Sequence, residues 1–265
     1  MEKVLCEGTT ICYAEQGKGD PIILLHGFCG SSSYWDEVVP LLSPSYRCIV
    51  PDLRGHGRSD APLGAYTIDQ MADDVLKLQE QLDIPQAAWF GHSLGGYLAL
   101  SAVQRHAERL TAFGLIHSTA YADTDEGKEK RNKAVSTIQT EGITTFVDGL
   151  VPGLFAPDHV ESLSSQLLKV KEIGYKTPPQ GAVGASLAMR ERTDRRDVLS
   201  ASALPALLVA GEQDQAVPPA RTFTTDRAGV TQVTLPEAGH MSLFEAPELL
   251  ANTILTFLEQ NLKRY

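Results

Sequence analysis

The pentapeptide Gly91-His92-Ser93-Leu94-Gly95 constrains the fold of this chain more than any other feature. The apolar run Ala87-Ala88-Trp89-Phe90 leads into it, and small and apolar residues at helical spacing follow it. This context predicts a strand, a sharp turn with a serine at its apex, and a helix. Such a turn holds the serine in a strained conformation with its hydroxyl clear of the sheet, and the flanking glycines leave room for it. Ser93 is therefore a candidate nucleophile, although the five-residue pattern alone also occurs by chance.

The pattern along most of the chain is an alternation of short apolar runs with helical segments. Ile22-Ile23-Leu24-Leu25 is continuously apolar, which indicates a strand buried on both faces. A β-hairpin is predicted over residues 3–16. Further predicted elements are helices over 34–42, 68–82 and 248–262, a helix from Pro219, and strands over 47–50, 110–116, 205–211 and 232–235. The alternation predicts an α/β fold with a mostly parallel, doubly wound sheet.

The alternation stops after His117. Residues 119–185 contain a charged stretch and then helical segments broken by Gly142, Pro152 and Pro157. We interpret this region as a helical cap inserted into one domain, with residues 1–118 and 186–265 forming the α/β core.

Composition excludes several classes of function. The 265 residues are enough for a full core, and 43% of them are hydrophobic. A net charge of −10 disfavours nucleic-acid binding. No apolar stretch approaches the ~20 residues that span a bilayer, and the N-terminal residues lack a signal-peptide pattern, so we expect a cytoplasmic protein with no membrane span. The four cysteines lack metal-ligand spacing, and we expect no metal. Oligomeric state is left open.

A serine nucleophile needs a base and an acid that orients the base. In doubly wound sheets these residues follow the carboxyl ends of strands. Asp214 follows one predicted strand, and His240, preceded by Gly239, follows the last. Their order after Ser93 is that of a Ser-Asp-His triad in this architecture. Glu212 is the rival carboxylate, but Asp214 is farther from the strand end, where its loop can reach the histidine. Asp214 could instead only cap the helix that follows.

Acyl transfer also requires two N–H donors for the developing oxyanion. The backbone N–H of Leu94, at the start of the helix after Ser93, is one candidate. The backbone N–H of Phe28, after the first buried strand, is the other.

The pocket is harder to predict. We expect His26, Cys29, His117 and Met241 to line it, because each is placed near the mouth of the predicted site. The alternative for His26 is a loop-bracing hydrogen bond, and for Cys29 it is packing.

Five motifs together resemble one known family. They are His26-Gly27-Phe28, Asp52-Leu53-Arg54-Gly55-His56-Gly57-Arg58-Ser59, Gly91-His92-Ser93-Leu94-Gly95-Gly96, Gly211-x-x-Asp214 and Gly239-His240. In this order they resemble the α/β-hydrolase-fold serine hydrolases of the capped esterase and lipase-like type. The resemblance implies hydrolysis of an ester, thioester, lactone or related acyl bond of a small molecule through an acyl-enzyme, without a cofactor.

Neighbouring subfamilies fit less well. Dehalogenases and epoxide hydrolases of this fold carry an aspartate where this chain has Ser93, and prolyl aminopeptidases usually carry a tryptophan where it has Leu94. We therefore expect a carboxylic-ester hydrolase acting on uncharged small or medium acyl substrates. The alternatives are a C–C bond hydrolase or lyase with the same triad, and a slow-turnover ligand receptor.

Overall fold

The computed structural model describes residues 2–6 and 8–262. Eight described strands form one sheet in the order β1-β2-β4-β3-β5-β6-β7-β8. The strands are β1 Glu2–Cys6, β2 Thr9–Gln16, β3 Pro21–Leu25, β4 Arg47–Pro51, β5 Ala87–His92, β6 Leu110–Ile116, β7 Ala206–Gly211 and β8 Val230–Leu235. The hairpin β1–β2 and the β2–β4 pair are antiparallel, and all other pairs are parallel. The α/β-hydrolase sheet expected from the sequence is confirmed.

Helices cover the sheet and connect its strands. They are α1 Val39–Leu42, α2 Ile68–Gln81, α3 Leu94–His106, α4 Asp125–Leu150, α5 His159–Ser162, α6 Ser164–Tyr175, α7 Pro179–Arg190, α8 Arg196–Ala201, α9 Pro219–Thr222, α10 Ser242–Glu245 and α11 Pro247–Asn261. Among the described residues, no helix combines the length and apolar character that crossing a membrane requires.

Both faces of the sheet carry a hydrophobic core, as the continuous apolar run of β3 predicts. Ile22 and Leu24 belong to the core cluster that includes α11, whereas Ile23 and Leu25 belong to the cluster that includes α2 and α3. All four side chains are fully buried. A parallel strand covered by helices on both sides has no polar face, which explains its uniform composition.

Most predicted elements are confirmed within one or two residues. The hairpin forms as predicted, but Glu7 of its expected turn lies outside the described residues. The helix predicted over residues 34–42 is wrong, because the structure has a 3-10 turn at Ser32–Trp35 and only the single turn of α1. Pro40 lies at the start of α1, and a proline there blocks continuation of a helix from upstream. The helix starting at Pro219 also has only four residues.

The segment between β6 and β7 is helical, as expected, and α4 packs against α6 and α7 within it. Helix α4 is kinked at Gly142, whose φ of +90° and ψ of +166° are not helical. The boundary predicted at residue 185 falls inside α7, so the helical segment extends to Arg190. We keep the division into core and cap as a proposal, with the boundary moved past this helix.

Candidate active site

Ser93 lies between the end of β5 and the start of α3, at the carboxyl edge of the parallel sheet. Its backbone angles, φ +50° and ψ −109°, lie in a region that non-glycine residues seldom adopt. Hydrogen bonds from both sides hold this conformation. The Ser93 N–H donates to the carbonyl of Ile116 at 2.9 Å, and its carbonyl accepts from the Ser118 hydroxyl at 2.7 Å. The strained turn predicted from the pentapeptide is therefore present.

The glycines around Ser93 are required by close backbone approach. A Cβ atom on Gly91 would lie 2.1 Å from the carbonyl carbon of Gly95, and one on Gly95 would lie 2.7 Å from the carbonyl oxygen of Leu25. Real Cβ contacts are essentially never this short, so any side chain here would push the strand, turn and helix apart.

His240 and Asp214 form a buried hydrogen-bonded pair. The distance from His240 Nδ1 to Asp214 Oδ2 is 2.8 Å, and both side chains are at least 95% buried. Asp214 Oδ1 accepts the backbone N–H groups of Ala216 and Val217 at 2.9 and 2.8 Å, which fixes the carboxylate plane. An ionised carboxylate only accepts hydrogen bonds, so Nδ1 of His240 carries the proton and Nε2 is left with a free lone pair.

Glu212, the rival carboxylate, is elsewhere. It is exposed to solvent, and its Oε2 accepts the backbone N–H of Glu237 at 3.0 Å. The geometry therefore favours Asp214 as the acid that orients His240.

A second histidine shares the same carboxylate. His117 Nδ1 lies 3.2 Å from Asp214 Oδ2, and its Nε2 lies 2.6 Å from the hydroxyl oxygen of Ser242. Because Nδ1 must donate to the carboxylate, Nε2 accepts the proton of the Ser242 hydroxyl. His117 and Ser242 are both fully buried. Asp214 thus holds two histidines: His117, which is bonded to Ser242, and His240, which lines the same cavity as Ser93.

The charge state of Asp214 follows from these contacts. Burial alone raises the pKa of its carboxyl group, but attraction and hydrogen bonding from His240 and His117 outweigh that effect and hold the pKa well below its usual range. Burial lowers the pKa of His117, only partly offset by Asp214. Near neutral pH the array therefore contains one carboxylate and a neutral His117.

His117, Asp214 and His240 also have the side-chain types of a metal site, with ligand atoms within 4.8 Å of one another. The separations of 2.8 and 3.2 Å to Asp214 are hydrogen-bond distances, and two N–H donors facing one carboxylate account for them. The donor set is therefore assigned to hydrogen bonding.

The two backbone N–H groups suggested for an oxyanion hole remain free in the described part of the chain. No hydrogen bond between described residues involves the N–H of Phe28 or of Leu94. Leu94 begins α3, where the N–H groups of the first turn have no partner within the helix and the helix dipole favours negative charge.

A cavity of about 460 Å³ lies over Ser93 and His240. Phe28 and Met241 line it, as do Phe146, Leu150 and Leu154 from the inserted helical segment. Of the four side chains proposed from the sequence to line the pocket, only Met241 does so.

The structure corrects the other three pocket assignments. His26 is fully buried below the cavity, where its Nε2 accepts the N–H of Leu53 at 2.9 Å, which is the bracing role considered as its alternative. Cys29 is buried in the hydrophobic core, and His117 lies behind Asp214. Residues directly after a strand reach the edge of the sheet, but their backbone direction decides whether they face the cavity or the interior.

Sequence reasoning missed Glu245, which holds the His240 loop. Its buried carboxylate accepts the N–H groups of Gly239 and Met241, at 3.0 and 2.9 Å, and that of Ala156 from the inserted segment at 2.8 Å. The His240 N–H in turn donates to the carbonyl of Leu154 at 2.7 Å. The loop that carries His240 is therefore tied directly to the cap. A glutamate at the end of a short helix gives no sequence signal of this role.

Four buried histidines predict a loss of stability in mild acid. Burial lowers the pKa of His26, His92 and His117, and that of His56 to about 4. Below the unfolded-state pKa of about 6.5, the unfolded chain binds protons that the folded chain excludes, so the free energy of unfolding falls as pH decreases. Each such histidine lowers the free energy of unfolding by up to about 1.4 kcal/mol for each pH unit of acidification between pH 6.5 and its folded-state pKa. Urea unfolding at pH 7.5, 6.5 and 5.5 measures this slope. A free energy of unfolding that stays constant over this range would contradict the prediction.

Comparison with known proteins agrees with the fold described above. The sequence model of a family described as alpha/beta hydrolase fold matches residues 20–144. A thermophilic esterase from Thermogutta terrifontis is 28% identical, with a TM-score of 0.94 over 99% of this chain and 100% of that one. An enol-lactonase from Burkholderia xenovorans is 29% identical, with a TM-score of 0.91 over 97% of this chain and 100% of that one.

A curated relative matches over most of this chain but is itself longer. The dihydrolipoyllysine-residue acetyltransferase component of the acetoin cleaving system of Pseudomonas putida is 30% identical over 249 residues, 92% of this chain. The chain spans 64% of that relative's length.

Proposed function

We propose that this chain, which has the alpha/beta hydrolase fold, hydrolyses carboxylic esters or related acyl bonds of small molecules through Ser93, His240 and Asp214. The observation that carries the proposal is the juxtaposition of Ser93, in its strained turn, with the buried His240–Asp214 pair at one cavity. Similarity to an esterase and an enol-lactonase supports the same reaction class. The cytoplasmic location expected from the sequence stays a prediction.

The first step is acylation. The Ser93 oxygen attacks the carbonyl carbon of the substrate while the free Nε2 lone pair of His240 takes the hydroxyl proton. The imidazolium that forms is stabilised by Asp214, whose ionised state at neutral pH follows from its lowered pKa. His240 then returns the proton to the leaving alcohol, and an ester bond joins the acyl group to Ser93.

The negative charge of the tetrahedral intermediate needs donors that are in place beforehand. The unpartnered N–H groups of Phe28 and Leu94 are the proposed donors, and such a donor contributes roughly 3–4 kcal/mol to transition-state stabilisation. Water then gives a proton to Nε2 of His240 and attacks the acyl carbon, and the acid is released as His240 passes that proton to the Ser93 oxygen. No step requires a cofactor.

The test combines turnover with covalent labelling. Hydrolysis of p-nitrophenyl acetate, butyrate and octanoate would establish ester cleavage, and the chain-length profile would size the acyl pocket against the cavity of about 460 Å³. A fluorophosphonate probe, located by mass spectrometry, is expected on Ser93. Absence of both turnover and label would contradict the proposal and favour the slow-turnover receptor.

The C–C bond hydrolase or lyase remains the second catalytic candidate, because the same triad serves both reactions. A protein that takes the label but hydrolyses none of the esters would favour it. A panel of carbon-acid substrates then separates the two.

A further inference from the structure

The cavity over Ser93 is lined by two chemically different sets of side chains. One set is apolar and includes Phe28, Phe146, Leu150 and Met241. The other set is charged and comes from the first half of α4 and the segments facing it. The charged residues lining the cavity are Lys130, Arg131, Arg192, Arg221, Asp123 and Glu126. The chain as a whole has a net charge of −10, but this part of the cavity wall carries four cations and only two carboxylates.

Two of the four cations are already paired with one carboxylate. Asp123 accepts Arg131 Nε at 3.1 Å through Oδ2 and Arg192 Nη1 at 2.7 Å through Oδ1. Arg192 is also buried against the ring of Tyr97, 4.2 Å from its centroid. These contacts fix both guanidinium groups as parts of the wall.

Among the described residues, no carboxylate pairs with either of the other two cations: Lys130 is exposed to solvent, whereas Arg221 is partly buried and held in place. The Arg221 guanidinium lies 4.8 Å from the centroid of the Tyr121 ring. Its carbonyl accepts the hydroxyl of Thr119 at 2.6 Å, which anchors α9 against the end of β6. Arg221 follows Asp214 by seven residues and is only partly exposed. A cation held against an aromatic face with its N–H donors unused is prepared to bind an anion.

We propose that this site takes acyl substrates that carry a carboxylate, and that the Arg221 guanidinium binds that carboxylate and thereby determines specificity. This inference rests on the function proposed above, with the scissile carbonyl at Ser93 and the apolar wall around the connecting methylene groups. The planar guanidinium matches a carboxylate with two parallel N–H···O hydrogen bonds. A substrate that carries a carboxylate takes the place of the uncharged substrate expected from the sequence.

The chain provides a matched control for Arg221. Arg196 contacts the same Tyr121 ring, 4.4 Å from its centroid, but it is paired with Asp194 at 2.9 Å and is not part of the cavity wall. Arg196→Gln and Arg221→Gln remove the same charge beside the same ring, and only the second removes it from the cavity.

The experiment compares two pairs of methyl esters: monomethyl glutarate with methyl pentanoate, and monomethyl adipate with methyl hexanoate. Within each pair, the first ester ends in a carboxylate where the second ends in a methyl group. The wild type is expected to have the higher kcat/KM for the carboxylate ester of each pair. In Arg221→Gln the ratio within each pair should fall about tenfold to a hundredfold, as expected for a charge-assisted hydrogen-bonded contact. In Arg196→Gln it should stay within about twofold, as expected for an exposed ion pair. Raising the salt concentration should also lower the wild-type ratio.

The outcomes separate this inference from the proposed function. Neutral esters hydrolysed as well as or better than their carboxylate partners, or an equal change of the ratio in both variants, would overturn the role of Arg221 while leaving the esterase intact. If these esters and the p-nitrophenyl esters are all left intact and Ser93 takes no label, the proposed function fails, and calorimetric binding of glutarate to the Ser93→Ala protein still tests the inference. Glutarate binding weakened by Arg221→Gln but not by Arg196→Gln would support it, and no glutarate binding would overturn it.

Discussion

Replacing Ser93 with alanine is expected to reduce ester turnover by roughly 10⁴- to 10⁶-fold, because the variant lacks the oxygen proposed to form the acyl-enzyme. The fold should survive, since the Ser93 backbone is held by Ile116 and Ser118 and the side chain makes none of those hydrogen bonds. Steady-state hydrolysis of p-nitrophenyl butyrate and fluorophosphonate labelling measure the effect, with circular dichroism as the check on folding.

Ser242 is the matched control for this experiment. Its hydroxyl lies within hydrogen-bond distance of a histidine that contacts Asp214, but Ser242 is fully buried and does not line the cavity. Ser242→Ala should keep the label on Ser93 and keep turnover within about tenfold, because it loses one neutral hydrogen bond. Label found on Ser242, or a Ser93→Ala protein that retains wild-type turnover, would show that the array with His117 is the catalytic one.

The second large effect is expected for Asp214→Asn, with kcat lowered about 10⁴-fold. An asparagine amide donates as well as accepts, so it no longer requires Nδ1 of His240 to carry the proton, and it adds no negative charge to stabilise the imidazolium. The change should also disturb His117, which donates to the same oxygen at 3.2 Å. Single-turnover kinetics with p-nitrophenyl acetate would locate the loss in the acylation step.

Glu212→Gln is the control that tests the choice of acid. Glu212 precedes Asp214 by two residues, but its carboxylate binds the backbone of Glu237 at the surface. We expect wild-type kcat within about twofold, as for surface substitutions in general. A large loss in Glu212→Gln with a small loss in Asp214→Asn would reverse the assignment of the triad acid.

The sequence by itself determined the strands, the main helices and the elbow at Ser93. These are local features, because an apolar run, a cap or a glycine pair acts on its own few residues. Thr67 illustrates this point, since it directly precedes the helix predicted over 68–82 and its side chain caps α2 by accepting the N–H of Gln70. The positions of Asp214 and His240 directly after strands followed from the same local signals.

Only the tertiary structure decided what those residues contact. His117 and Asp214 are 97 residues apart, and they meet because β6 and β7 are neighbours in the sheet and their carboxyl ends coincide. The cationic wall likewise forms where α4 and the segments carrying Arg192 and Arg221 converge over one cavity. Which side chains share a carboxylate, and which cations are left without one, depends on packing between distant elements, and no local pattern encodes that.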